Sequence, residues 1–149
     1  MYKTILVPLD GSKRAEAILD HVEDLSRLYA AEVVFLKVEK AAPMLEWDEV
    51  IDMSLYKQKR DQQKKRMESY LIGIQKRFSE KGIETRIRIA YGPVVKTILN
   101  TASEVKADLI AMASNGLSDL YKRYYGSVTA GLLQKTDLPL LLFRSHYPT

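Results

Sequence analysis

The C-terminal third of the chain carries the residue types from which a phosphate site can be built. Gly116 and Gly126 stand ten residues apart, and Ser127 and Thr129 follow the second glycine. We expect a helix to begin near Gly126 and Ser127. A glycine-bearing loop that leads into a helix offers backbone N–H groups and a positive dipole end to an anion, for which phosphate is the natural ligand. The two hydroxyl groups would add donors at the same place.

Plainer interpretations are open for the same residues. Gly116 would then be a turn glycine and Ser127 a helix N-cap, with no ligand involved. Asp10 directly follows the aliphatic run Thr4–Leu9 and is the obvious carboxylate near the expected phosphates. It would help to hold Mg²⁺, or it would cap the turn after a first strand. The residues alone leave both roles open.

Composition excludes several kinds of chemistry. The 149 residues include no cysteine, which excludes disulfides, thiolate metal sites and cysteine nucleophiles. His21 and His146 are the two histidines, too few for a histidine-rich metal site. The motifs G-x-x-x-x-G-K-[ST], G-x-G-x-x-G and G-x-S-x-G are absent. No stretch approaches the roughly 18–20 apolar residues that cross a bilayer, and we expect a cytoplasmic protein.

The net charge of +4 is concentrated in one segment. Residues 57–66, here called the basic segment, contain six bases and one acid and sum to +5, which leaves −1 for the rest of the chain. A whole-protein field suited to nucleic acid is therefore absent. The basic segment indicates either a solvated helical surface or, as an alternative function, a nucleotide-free interaction module that uses this segment or a dimer surface.

Short apolar runs alternate with segments of helical period, which predicts the order β-α-β-α-β-α-β-α-β. This order is typical of an α/β protein in which an open five-stranded parallel sheet carries helices on both faces, here as one domain over 1–149. Ligands bind such sheets at the carboxyl ends of the strands. The strands are predicted at Thr4–Leu9, Glu32–Val38, Thr85–Ile89 (an edge strand), Asp108–Met112 and Leu138–Arg144, and the helices at about 13–30, 55–81, 94–105 and 126–136, with a loop from Ala113 to about Tyr125.

Four features, in order along essentially the whole chain, resemble the universal stress protein family. Ile5–Ser12 resembles the family's first strand and acidic turn, and Ala107–Gly116 resembles its fourth strand and phosphate loop. From Ala113 to Ser127 the spacing matches the family's nucleotide motif, G-x-x-G, nine residues, then G-[ST]. Asp137–Phe143 resembles the last strand.

The resemblance implies the ATP-binding branch of the family, with at most slow ATP hydrolysis. ATP, with Mg²⁺ held in part by Asp10, is the implied ligand, and ADP or AMP are alternatives. Asp10 and the main chain at Val38 would hold the adenosine. The residues implied to bind nucleotide are Pro8, Leu9, Asp10, Ser12 and Val38, then Ala113, Gly116, Gly126 and Ser127 for the ribose and phosphates, and Met112, Val128 and Thr129 to complete the wall.

One position departs from the motif, whose first glycine is Ala113 in this chain. If φ is negative there, alanine changes little. If φ is positive, the methyl group costs on the order of 1 kcal/mol and crowds the phosphate.

The resemblance also implies a homodimer that forms largely through the last strands. An apolar terminal strand left as an open edge would invite aggregation, so pairing with its twin is physically sensible. The dimer residues would be Leu138, Leu140, Leu141, Leu142 and Phe143.

Overall fold

Five parallel strands form the centre of the protein, whose computed structural model describes residues 1–39, 53–115 and 122–145. The aliphatic runs form the strands, and the segments of helical period form the helices between them. The elements are β1 (Thr4–Leu9), α1 (Lys13–Glu16), α2 (Leu19–Tyr29), β2 (Glu32–Glu39), α3 (Met53–Ser79), β3 (Thr85–Tyr91), α4 (Val94–Val105), β4 (Leu109–Asn115), α5 (Lys122–Lys135) and β5 (Leu140–Ser145).

The strands are ordered β3-β2-β1-β4-β5, with β1 in the middle. The chain therefore builds outward from β1 through β2 to β3, and then crosses to the other side of β1 for β4 and β5. β3 is an edge strand, as its alternating arginines and isoleucines predict. The predicted α/β fold with a five-stranded parallel sheet is confirmed.

Both faces of the sheet are buried, and this explains the uninterrupted apolar run of β1. Ile5, Val7 and Leu9 pack into a core with α1, α2 and α3, whereas Leu6 packs into a second core with α4 and α5. In the first core the rings of Phe35 and Phe78 meet edge to face, with centroids 4.9 Å apart. Each fully buried aliphatic or aromatic side chain stabilises the fold by about 1.5–3 kcal/mol.

The single helix predicted over 13–30 is wrong, because two helices occupy this range. Ser12 caps α1, since its hydroxyl accepts a hydrogen bond from the backbone N–H of Ala15 at 3.1 Å. The N–H groups of Ala17 and Ile18 then donate to carbonyls only three residues back, at 3.3 and 3.4 Å. These shorter-range bonds interrupt the α-helical pattern and separate α1 from α2.

Two predicted boundaries near the phosphate loop are also wrong. β4 continues to Asn115 because it pairs with β5 beyond Met112, so that Ala113 lies in a strand opposite Phe143 and not in a loop. α5 begins at Lys122, four residues before Gly126. No proline interrupts these residues, and a glycine inside a helix costs only about 1 kcal/mol.

α3 reaches beyond the core at its N-terminal end. Leu71, Ile74 and Phe78 are buried in its C-terminal part, whereas all ten residues of the basic segment are exposed, as predicted. After α3 the chain turns at Gly82, whose φ of 77° is in the left-handed region that favours glycine. Of the helices that the structure describes, none combines the length and apolarity that a membrane span needs.

A buried carboxylate joins α2 to α3. Glu23 is 6% exposed and accepts hydrogen bonds from Lys81 and, at 3.1 Å, from Arg77. The hydrogen bond from Lys81 outweighs the effect of burial and, with Arg77, holds the pKa of Glu23 below its usual value. The ion pairs therefore fix the packing of the two helices while Glu23 stays charged.

Candidate functional site

The carboxyl ends of β1 and β4 lie side by side, where the strand order changes direction. The connection after β1 leads to β2 on one side, and the connection after β4 leads to β5 on the other. Because neighbouring strands whose connections diverge open a crevice above the sheet, this is where open α/β sheets bind ligands. The structure thus brings together the two strand ends that the sequence singled out.

Asp10 organises the turn at the end of β1. Its Oδ1 accepts hydrogen bonds from the backbone N–H and the hydroxyl of Ser12, at 2.8 and 2.6 Å. Partial burial opposes ionisation of Asp10, but the Ser12 bonds and the charges of Arg14 and Lys37 outweigh it and hold the pKa of Asp10 below its usual value. Asp10 therefore has a structural role in the turn, and a metal ion on it would have to share or replace these partners.

Arg14 was missed by the sequence analysis and lies across the crevice. Its Nη2 donates to Oδ2 of Asp10 at 2.9 Å, and its Nη1 donates to the carbonyl oxygen of Ala113 at 3.4 Å. The side chain is 18% exposed, and its Nε is buried with no hydrogen-bond partner in the described part of the chain. The spacing of four residues between Asp10 and Arg14 is a sequence pattern from which their ion pair could have been predicted. The contact with Ala113 joins residues 99 apart, and no sequence pattern indicates it.

Tyr70 of α3 adds a second buried polar group near Asp10. Its hydroxyl is buried and, among the described residues, makes no hydrogen bond of normal geometry, although the Glu16 carboxylate lies close enough to interact with its proton. Burial, together with the negative charges of Glu16 and Asp10, raises the pKa of Tyr70 well above its usual range. The hydroxyl is thus neutral at physiological pH and has a proton to donate. No pattern in the sequence pointed to it.

An apolar wall lies on the α4–α5 side of the crevice. Met112 belongs to the core on that side, and the half-buried Val38 and Val128 pack against it. Pro8 is two residues from Leu6, so that strand alternation places it on the same side. Thr129 is 4% exposed and lies in α5 beside Val128. Five residues of the implied site therefore share one side of the sheet.

Leu9 and Ala113 face the opposite side. Both side chains are 4% exposed and belong to the core beneath α1, α2 and α3. Only their main chain is therefore presented at the crevice, as the Ala113 carbonyl oxygen that contacts Arg14 illustrates. The side chains of these two residues therefore do not line the same wall as Met112 and Val38.

Ala113 tolerates its non-glycine side chain. Within the described residues, the non-glycine positions with positive φ are Ala30 and Lys106, so Ala113 has an ordinary strand conformation. The departure from the family's motif therefore causes no backbone strain in this structure. Of the two cases that the sequence left open, negative φ applies.

Two of the remaining motif residues do not lie where the sequence predicted, at the beginning of a helix. Gly116 lies outside the described residues. Gly126 and Ser127 lie in the second turn of α5 and not at its beginning, so the first free N–H groups of this helix belong to residues before them. Ser127 is exposed to solvent.

The arrangement is suited to binding a ligand that has a flat apolar part and an anionic part. The apolar wall would take the first, and Arg14 and the Ser127 hydroxyl the second. In the parts of the chain with described coordinates, no group of three His, Cys, Asp or Glu side chains could hold a metal ion. His21 lies on α2 and stacks against Phe143, with ring centroids 4.5 Å apart.

Comparison with known proteins gives a consistent result across the chain. The model of the universal stress protein family matches residues 1–144. Universal stress protein Sll1654 of Synechocystis is 31% identical over 142 residues, which cover 95% of this chain and 85% of that protein. Universal stress protein MJ0577 of Methanocaldococcus jannaschii is 28% identical over 159 residues, which cover 97% of this chain and 96% of that one.

Solved structures agree with the sequence comparison. The structure of MJ0577 has a TM-score of 0.80 at 27% identity and covers 99% of both chains. A universal stress protein in complex with cAMP has a TM-score of 0.69 at 22% identity, over 96% of this chain and 97% of that chain. An Arabidopsis thaliana protein with AMP bound has a TM-score of 0.69 at 16% identity, over 97% and 92%. The last two likenesses show the shared fold.

Proposed function

Because this chain belongs to the universal stress protein family, we propose that it binds an adenine nucleotide, ATP first among them, in the crevice between β1 and β4. The observation that carries the proposal is the pairing of two unlike surfaces there. Met112, Val38 and Val128 offer an apolar wall to a flat base. Arg14 reaches from Asp10 to the Ala113 carbonyl oxygen, and its Nε–H has no acceptor among the described residues. A nucleotide presents the matching apolar and anionic parts.

The proposed site uses most of the residues that the sequence implied. Pro8, Val38, Met112, Val128 and Thr129 form the wall, and Ser127 meets the phosphates. Gly116 and Gly126 complete the phosphate side by resemblance to the family's motif. Mg²⁺ would be held mainly by the phosphates, since both oxygens of Asp10 already have partners. The same fold holds cAMP in one solved structure and AMP in another, which makes this ligand class the first to test.

We propose further that the protein is a regulatory module that works as a homodimer in the cytoplasm. The two edges of its sheet differ in character. On β3, Arg86 pairs with Glu32 and Arg88 pairs with Glu104, and charged edges resist pairing. The β5 edge carries the half-buried residues Leu140, Leu141, Leu142 and Phe143, with Leu138 just before the strand. A second copy on β5 would cover them, and light scattering that finds a monomer at micromolar concentration would contradict this.

The nucleotide itself can be tested directly. The purified protein is denatured, any released nucleotide is identified by chromatography and mass spectrometry, and the stripped protein is titrated with AMP, ADP and ATP with and without Mg²⁺. We expect adenine nucleotide in the released fraction or binding in the micromolar range. Absence of binding at millimolar concentrations of all three nucleotides would refute the proposal.

The basic segment supports a second candidate function. In the part of the chain that the structure describes, none of its six bases has an acidic partner within 4 Å. Arg60 lies over the ring of Tyr91, 4.8 Å from its centroid, and so anchors the segment near the end of β3. An interaction module that binds a polyanion would show affinity for heparin that falls steeply with salt. Nucleotide binding with no such affinity would exclude this alternative.

A further inference from the structure

We propose that Arg14 reads the charge of the bound nucleotide and makes the site prefer phosphorylated adenosine over adenosine itself. This inference rests on the proposed function, since it assigns the phosphate side of the same crevice, and it puts Asp10, which the resemblance assigns to the adenosine, beside the phosphates. Nothing in the family's motif points to this residue, which lies outside the glycine-bearing loop and on α1. Arg14 has donors that the described residues leave unused, and it is less exposed than its partner Asp10.

Arg14 is only partly satisfied by the protein. A guanidinium has five N–H donors. Asp10 takes one of them at 2.9 Å, and the Ala113 carbonyl oxygen takes another at 3.4 Å, near the limit of a hydrogen bond. Among the residues that the structure describes, no acceptor meets the buried Nε–H. Folded proteins leave few buried donors unpaired, so this donor is suited to an acceptor that a ligand brings.

Asp10 is the partner that can yield. Its side chain is 51% exposed, whereas that of Arg14 is 18% exposed, so Asp10 is the more accessible member of the pair. If Asp10 lost Arg14 to a ligand, it would keep the two hydrogen bonds from Ser12. The Asp10 carboxylate therefore holds the guanidinium in place in the free protein, and a phosphate oxygen that takes the Nε–H can share or replace it.

An alternative explanation is that Arg14 is purely a strap between α1 and β4. A strap would affect stability and the affinity for every ligand alike. A residue that binds phosphate would change the affinity for AMP, ADP and ATP while leaving adenosine unaffected. The informative quantity is therefore the ratio of the dissociation constant of adenosine to that of each nucleotide, because losses common to both ligands cancel in it.

The test compares Arg14→Gln with Lys13→Gln in the full chain. Both changes remove one positive charge at neighbouring positions, but Lys13 is exposed and has no described partner. Calorimetric titration with adenosine, AMP, ADP and ATP gives the four dissociation constants for each protein. We expect Arg14→Gln to lower the nucleotide-to-adenosine preference by about tenfold or more, as the loss of a charge-assisted hydrogen bond implies. Lys13→Gln should change it by less than about threefold, through long-range charge alone.

Each outcome decides a separate claim. An unchanged preference in Arg14→Gln overturns the role of Arg14 and leaves the proposed function intact. Wild-type protein that binds neither adenosine nor nucleotide refutes the proposed function, and this inference with it. If Arg14→Gln does not fold, Arg14→Lys carries the test, because it keeps the charge and loses the planar fork. If Arg14→Lys then kept the wild-type preference for nucleotide over adenosine, this result would contradict recognition of the phosphate through Nε.

Discussion

A Cβ atom added to Gly131 of α5 would lie 2.7 Å from Cγ2 of Val95 on α4. Real Cβ atoms essentially never approach another heavy atom so closely. The two helices therefore meet where α5 has no side chain, and this contact sets the position of α5. Because α5 carries Ser127, Val128 and Thr129, the packing of α4 against Gly131 also positions the phosphate side of the proposed site.

Two glycine-to-alanine changes are expected to have opposite effects on stability. Gly131→Ala gains helix propensity but must displace the stiff Val95 side chain, and we expect a net loss of about 1 kcal/mol or more. Gly73→Ala in α3, where the added methyl meets nothing within 4 Å, should stabilise the protein by about 0.5–1 kcal/mol. Urea unfolding of both variants measures the difference. Stabilisation by both would mean that α4 and α5 separate freely.

The Glu23 cluster makes stability depend on pH. Since its partners lower the pKa of Glu23 in the folded state, its stabilising contribution is present above the usual value of 4.5 and is lost as pH falls through the lowered folded pKa. Glu23→Gln should cost about 1–3 kcal/mol at neutral pH, less than a fully buried pair because Arg77 and Lys81 are partly exposed. The free energies of unfolding of the wild type and the variant should converge as pH falls through the lowered folded-state pKa of Glu23. If the difference in free energy of unfolding between the wild type and Glu23→Gln did not change with pH, packing alone would explain the loss of stability.

The Ser127 hydroxyl is testable against a matched serine. Ser127→Ala should weaken nucleotide binding by about fivefold, the effect of one ordinary hydrogen bond. Ser103 is also an exposed helical serine, but it lies near the C-terminal end of α4, where the chain leads to the start of β4. Ser103→Ala should therefore leave the affinity unchanged. Equal effects of the two changes on the dissociation constant of ATP would remove Ser127 from the site.

Restoring the motif glycine should not improve the protein. The φ of Ala113 is not positive, so Ala113→Gly relieves no strain and adds conformational freedom to the unfolded chain. We expect about 1 kcal/mol of lost stability and an affinity for ATP within about twofold of the wild type. Calorimetry and urea unfolding measure the two quantities. A tenfold gain in affinity would show that the bound state needs a backbone conformation that the structure lacks.

Periodicity alone was sufficient to predict the sheet. The strands of this protein are buried on both faces, so they appear as unbroken apolar runs, and the polar strand ends marked where the crevice lies. Asp10, Val38 and Met112 were implied by resemblance, and the structure brings them to this edge. The Ser12 cap was predictable because it is a local interaction of three residues.

The features that the sequence did not predict depend on long-range contacts or on small local differences in free energy. Arg14 contacts the carbonyl oxygen of Ala113, 99 residues away, and Tyr70 of α3 packs against the core that α1 also covers. The break between α1 and α2 depends on whether two N–H groups bond three or four residues back. The beginning of α5 depends on about 1 kcal/mol of glycine propensity. Pattern matching resolves neither difference.

β1 and β4 pair at two positions, whereas β1 and β2 pair at six and β2 and β3 at seven. The sheet thus has a seam between its N-terminal and C-terminal halves, and the crevice lies directly above it. Segments joined by few backbone hydrogen bonds open at lower free energy, which amide hydrogen exchange records. A ligand that contacts both sides slows that opening. In this molecule, occupancy of the proposed crevice would therefore be recorded as slower hydrogen exchange of the amides along the seam between β1 and β4.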